Sequence, residues 1–190
     1  FGGIHMNKHK VGIIGCGGIA FGKHLPALQS VNRTDLVAFC DLDLSKAQKA
    51  ADQYGVPNAL VCTDYRELLK DPSIEICYVL TPNRSHAQLS CDAMLAGKHV
   101  MCEKPMAKTA EDARRMVEVS RQTGKKLTIG YQHRHKAESK YVKSVIERGD
   151  LGEIYYAKAL AIRRRGTPNW GVFLNEYEQG GGPLIDIDRK

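Results

Sequence analysis

The chain has 190 residues, 43% of them hydrophobic, and carries a formal net charge of +7. That length and apolar fraction allow one domain with a proper core, or one domain and part of a second. No apolar run approaches the 18 or so residues that a bilayer span needs, no charged-then-apolar leader opens the chain, and the basic residues are spread rather than gathered into the coherent face or known module that a nucleic-acid partner would require. Residues 1–6, ending in His5-Met6, read as a vector remnant and stand outside the fold. The six cysteines (Cys16, Cys40, Cys62, Cys77, Cys91 and Cys102) form no Cys-x-x-Cys pair and mostly lie in apolar runs. They read as buried free thiols in a reducing, cytoplasmic compartment, with no metal site.

The first predicted element is a short buried strand, Val11–Ile14. It runs into Gly15-Cys16-Gly17-Gly18-Ile19-Ala20 and then into a helical pattern, Phe21–Ser30, that contains Pro26. Strand, glycine turn and helix follow the pattern G-x-G-x-x-G/A, with Ala20 in the third place. In a dinucleotide-binding reading Gly15 makes the turn, Gly17 lets the backbone approach a pyrophosphate, and Ala20 lets the helix lie close to the strand. The helix N-terminus offers N–H groups and the positive end of a dipole. The same residues also suit a glycine-rich turn that binds nothing, so the context decides. Leu36–Cys40 reads as a second buried strand, and Asp41 follows it about 20 residues after the glycines, where a carboxylate can accept both ribose hydroxyls of an adenosine. It would repel a 2′-phosphate, which favours NAD over NADP, although Lys46 lies near. The alternative is that Asp41 caps the helix beginning near Leu44.

Strand-like and helix-like segments continue to alternate. Helix Leu44–Tyr54 is broken by Gly55 and Pro57. Strand Ala59–Cys62, a short helix Tyr65–Lys70 capped by Asp64, strand Glu75–Leu80, helix Asn83–Leu95, strand His99–Cys102, an amphipathic helix Ala107–Arg121 and strand Leu127–Gly130 follow. In the long helix Ala110, Ala113, Val117 and Ser120 fall near one face. Strands alternating with helices in this way predict an α/β Rossmann fold, a doubly wound parallel sheet. Ligands of such sheets bind beyond the carboxyl ends of the strands, where Thr81-Pro82-Asn83 and Glu103-Lys104-Pro105 both fall. After Tyr131 the texture changes. Lys136–Arg148 is helical, and Glu153–Arg165 alternates with period two, as one long strand of a second, flatter sheet would. Thr167–Gly182 is rich in turns. The predicted organisation is a Rossmann domain over 7–131 followed by the start of an incomplete α/β substrate domain over 132–190.

GCGGIA (15–20), CDLD (40–43), TPNRSH (81–86), GKHVMCEKPMA (97–107), GYQHRH (130–135) and GGGPLIDI (180–187) together resemble the Gfo/Idh/MocA family, named for glucose–fructose oxidoreductase, inositol dehydrogenase and rhizopine catabolism. The Glu103-Lys104-Pro105 motif, preceded by TPN-x-x-H, is the most specific of these. The resemblance implies NAD(P)-dependent oxidation of a sugar, inositol or related polyol at a secondary alcohol. It also implies a larger second domain that covers the active site and often builds a dimer, so that a homo-oligomer is expected. Hydride transfer needs an acceptor for the hydroxyl proton and a partner for the developing carbonyl oxygen. The resemblance gives that work to Lys104, turned inward by a cis bond before Pro105, the alternative being an ordinary surface lysine. Asn83 and His86 would touch the ribose and diphosphate side, with a plain helix-surface histidine as the alternative for His86. Glu103 would hold the nicotinamide ribose or orient Lys104, and Gln132 would line the nicotinamide end. Asp186 matches the first residue of the family's D-x-x-x-H pair, but Lys190 stands where the histidine belongs. The chain resembles a C-terminally truncated member, expected to bind NAD and to turn over weakly or not at all. A non-catalytic NAD-binding sensor or interaction module is the alternative function.

Overall fold

A computed structural model describes residues 8–160, 162 and 171–180. Six strands build one sheet: β1 His9–Ile14, β2 Thr34–Cys40, β3 Leu60–Cys62, β4 Ile76–Val79, β5 His99–Cys102 and β6 Leu127–Ile129. All neighbours run parallel, in the order β3-β2-β1-β4-β5-β6. This is the doubly wound Rossmann order, in which the chain reverses direction across the sheet between β1 and β4. β1 pairs with β4 from Val11 opposite Ile76 to Ile14 opposite Val79, and with β2 through a register shift between Val11 and Gly12. β1 and β2 begin two residues earlier than hydrophobicity alone predicts. Ladder bonds are made by the backbone, and the polar His9 and Lys10 pair with Thr34 and Asp35 as well as any apolar residue would.

The helices divide between the two faces, because alternate strand residues point to opposite sides. Val11 and Ile13 belong to one buried cluster with Phe39 and with Leu25, Leu28, Ala47 and Ala50 of α1 (Leu25–Val31) and α2 (Leu44–Tyr54). Ile14, Ala38 and Val79 belong to the other, with Leu68 of α3 (Tyr65–Lys70), Leu89 and Met94 of α4 (His86–Leu95), and Met116 and Val119 of α5 (Ala110–Thr123). All six cysteines are buried and unbridged. Burial pushes the thiols of Cys16, Cys77 and Cys102 up to about 12, which keeps them protonated and unreactive.

Several elements differ from expectation for identifiable reasons. The first helix is not one α-helix: a π-helical turn, Ala20–His24, precedes α1, whose first turn holds Pro26. Proline lacks the N–H that an uninterrupted α-helix would need there. Asn83–Ser85 form a 3-10 turn after Pro82, and α4 starts only at His86. α5 begins at Ala110, capped by Thr109, and its inward stripe is Ala113, Met116 and Val119, while Val117 is exposed. α6 spans Ala137–Glu147. Beyond it, Glu153–Leu160 make no ladder and are exposed throughout, so the predicted long strand is absent over these residues. A period-two pattern still needs a neighbouring strand to pair with, and none of the described strands lies beside it. Arg163–Arg165 of the same prediction lie outside the described residues. A short helix, α7 (Glu176–Gln179), follows.

The core makes a contrast that can be measured. Phe39 is fully buried and Leu42, three residues on, is 95% exposed. Phe39→Ala should cost about 3–5 kcal/mol of stability, and Leu42→Ala should stay within about 0.5 kcal/mol, both read from denaturant midpoints.

Candidate cofactor and active site

The crevice opens where β1 and β4 part. Gly15 leaves β1 with φ of +96°, and a Cβ there would stand 2.8 Å from the backbone carbonyl of Leu80. Only glycine satisfies both the angle and the approach. Gly17 and Gly18 have nothing within 4 Å of the position a Cβ would take. They line open space at the start of the helical turns, with Ile19 exposed beside them and Ala20 fully buried below. The cradle therefore fits a diphosphate approaching the backbone at a helix N-terminus.

Asp41 stands beside this turn. One of its carboxylate oxygens accepts the Cys16 N–H at 2.8 Å, and the other accepts the Asp43 N–H at 3.0 Å. The helix cap proposed for Asp41 belongs instead to Asp43, whose side chain accepts from the Ser45 N–H at the start of α2. Asp41 is thus tied to the glycine turn itself. A carboxylate offers about four lone-pair positions, so both oxygens keep room for ribose hydroxyls.

Two loops form the opposite wall. After β4, Thr81 and Pro82 are half-buried and Asn83 is buried. The Asn83 amide donates to the Gln179 carbonyl at 2.8 Å. Around that bond, Arg84 pairs with Glu178 at 3.3 Å, and Lys108 donates to the Tyr177 carbonyl at 2.6 Å. Arg84 and Lys108 also lie over the Tyr177 ring. The segment carrying α7 is therefore seated on the Thr81–Asn83 loop, which the sequence did not signal. After β5 comes Glu103, 8% exposed, then the half-buried Lys104 and a cis Lys104–Pro105 bond. Gln132 lies in the exposed 3-10 turn Gln132–His135 that follows β6. Asp186 lies outside the described residues.

Among the described candidates, His86 lies in the core between the two loops. It is fully buried, neither on a helix surface nor presented to a ligand. Its Nδ1 lies 2.8 Å from the Pro105 carbonyl oxygen and its Nε2 2.8 Å from that of Thr81. The ring fastens one loop to the other. Burial lowers its pKa, against the opposing pull of the two carbonyls. Sequence reasoning also missed His24. Its Nε2 lies 2.7 Å from Oε1 of Glu103, with side chains only 14% and 10% exposed. The available signal was its position one turn beyond Ala20.

A parallel sheet in Rossmann order, with an open glycine turn and a carboxylate after the second strand, defines a dinucleotide-fold protein. Residues 9–131 match the Gfo/Idh/MocA family, described as an oxidoreductase family with an NAD-binding Rossmann fold. The chain belongs to this family. It is 44% identical over 178 residues to a D-glucoside 3-dehydrogenase of Escherichia coli, covering 94% of this chain and 50% of that protein. It is 35% identical over 146 residues to an inositol 2-dehydrogenase of Salmonella typhimurium, covering 76% of this chain and 43% of that one. The chain thus spans about half the length of the curated relatives it matches. Among solved structures, a 3-ketoreductase from Actinomadura kijaniata in complex with NADP and TDP-benzene superposes with a TM-score of 0.79 at 27% identity, over 95% of this chain and 54% of that one. The WlbA dehydrogenase from Bordetella pertussis, in complex with NADH and UDP-GlcNAcA, superposes with a TM-score of 0.72 at 32% identity, over 78% and 45%. Its neighbours thus hold either NADP or NADH.

The His86 fastening can be tested by removal. A neutral ring donates from one nitrogen only, so His86→Ala removes one buried hydrogen bond together with the side chain that joins the two loops. It should cost about 2–4 kcal/mol in chemical denaturation.

Proposed function

We propose that this chain is the cofactor-binding part of an NAD-dependent dehydrogenase that moves a hydride between the nicotinamide and a secondary alcohol of a sugar, inositol or related polyol. One observation carries the reading. Gly15–Ala20, Asp41, the Thr81–Asn83 loop and Glu103-Lys104 come from separate parts of the sequence and meet at one carboxyl edge of the sheet. Gly17 and Gly18 would admit the diphosphate to the helix N-terminus, and Asp41 would take the adenosine ribose hydroxyls. Thr81, Pro82 and Asn83 would border the dinucleotide on the β4 side, with Gln132 toward the nicotinamide end. The bound dinucleotide supplies the hydride acceptor or donor.

Lys104 would take the hydroxyl proton on its amine nitrogen as the hydride leaves and, once an ammonium, hold the new carbonyl oxygen. Glu103, nearly buried and bonded to the Lys104 N–H, would orient the lysine rather than meet the ribose. Asp186, by its family position, would hold the substrate. NAD is favoured because Asp41 and the neighbouring Asp43 would face a 2′-phosphate with like charge.

Calorimetric titration tests this directly. NAD+ should bind with a Kd tighter than about 1 mM, some −4 kcal/mol, and NADP+ more weakly. Asp41→Ser should weaken NAD+ about tenfold and abolish the discrimination against NADP+. Failure of both dinucleotides to bind would overturn the reading. Self-association belongs to the same proposal. Tyr155, Tyr156 and Leu160 are 94%, 73% and 68% exposed along one extended run, which is more apolar surface than a solvated segment needs. Light scattering should show a species heavier than one chain, and a particle of single-chain mass at high concentration would remove this part.

A further inference from the structure

We propose that His24 is a positioning residue for Lys104, acting through Glu103. The inference rests on the reading of Lys104 as the residue that meets the substrate oxygen, and it adds a residue that the expected cofactor and catalytic positions do not include.

The link can be followed atom by atom. His24 ends the π-helical turn that rises directly from the glycine turn. Its ring packs edge-on against Tyr78 of β4, with centroids 5.9 Å apart and planes at 70°. From there Nε2 reaches Oε1 of Glu103 at 2.7 Å. The other oxygen, Oε2, accepts the Lys104 N–H at 2.9 Å. Gly130 leaves room for the carboxylate by having no side chain. A Cβ at that position would stand 3.2 Å from Oε1 and 3.3 Å from the carboxyl carbon. Glu103 is thus held through both of its carboxylate oxygens. A carboxylate only accepts hydrogen bonds, so the hydrogen of this contact is on His24 Nε2.

The consequence is a bridge across the crevice. The helix that would receive the diphosphate and the loop that carries the lysine belong to β1 and β5, which are not neighbours in the sheet. His24 and Glu103 join them directly at the carboxyl edge. A shift of the glycine turn is thereby felt at the Lys104 backbone. Charge-assisted bonds in a nearly dry setting are the stronger kind and hold orientation well.

The test uses the chain without cofactor, labelled with 15N at lysine and histidine. In the unaltered chain the His24 ring should show a protonated Nε2 at neutral pH, and an unprotonated Nε2 overturns the proposal. His24→Phe keeps the packing on Tyr78 but cannot donate. The Lys104 amide should then exchange with solvent about tenfold faster, while the lysine amides of β1 and α2 stay as they were. His24→Gln, which can donate again, should return the Lys104 amide to its original rate. A Lys104 amide unmoved in His24→Phe, or equally moved in both variants, overturns the proposal. Titration of NAD+ into the same samples separates the two readings. A chain that shows the amide effect but binds no dinucleotide keeps the His24 link and rejects the cofactor reading.

Discussion

The structure depends on the approach of Gly15 to the Leu80 backbone. β1 and β4 lie side by side, yet the chain leaves them toward opposite faces of the sheet, and the two loops must separate within a residue or two. Gly15 makes this possible by turning at positive φ while its Cα sits where no side chain would fit. The Leu80 N–H bonds to the Ile14 carbonyl at 2.8 Å, and the Gly15 N–H to that of Cys40 at 2.8 Å. Ladder bonding thus continues to the last residue before the parting. The crevice is therefore a product of topology, and the functional groups collect there because every strand delivers its following loop to the same edge.

The polar groups at this edge serve each other before they serve any ligand. Asp41 holds the turn through the Cys16 N–H, His86 joins the loops after β4 and β5, and Glu103 is shared between His24 and the Lys104 backbone. Buried or half-buried polar atoms are costly unless paired, so these contacts are what permits a polar crevice beside two apolar layers. They also make the site ordered in advance, which lowers the ordering cost that binding would otherwise carry.

How much of this could be read from the sequence follows from which forces were local. The glycine turn, the buried strands, Asp64 as a cap and the span of α2 depend on residues close in sequence, and they appear as expected. Strand starts and the start of α5 depend on a neighbour's backbone or on the exact cap, and these shifted by one to three residues. His86 was expected beside a ligand on the strength of the family resemblance. Its destination was decided by two carbonyls, one of them 19 residues away, and no pattern in the sequence points to a carbonyl. His24 was hidden for the same reason, since its partner lies 79 residues further on.

The run from Glu153 to Leu160 shows the same principle from the other side. Its alternation describes a surroundings with one wet face and one dry face, and a chain acquires that pattern only where a sheet provides both. In the described structure neither side of the run is covered, and its tyrosines and leucine meet solvent. The alternation alone therefore does not make a strand. The Rossmann half contrasts with it in every respect. There, the apolar strand residues meet helices on both faces of the sheet. Local pattern and tertiary packing agree in that sheet, whereas among the described residues the alternating run lies beside no strand.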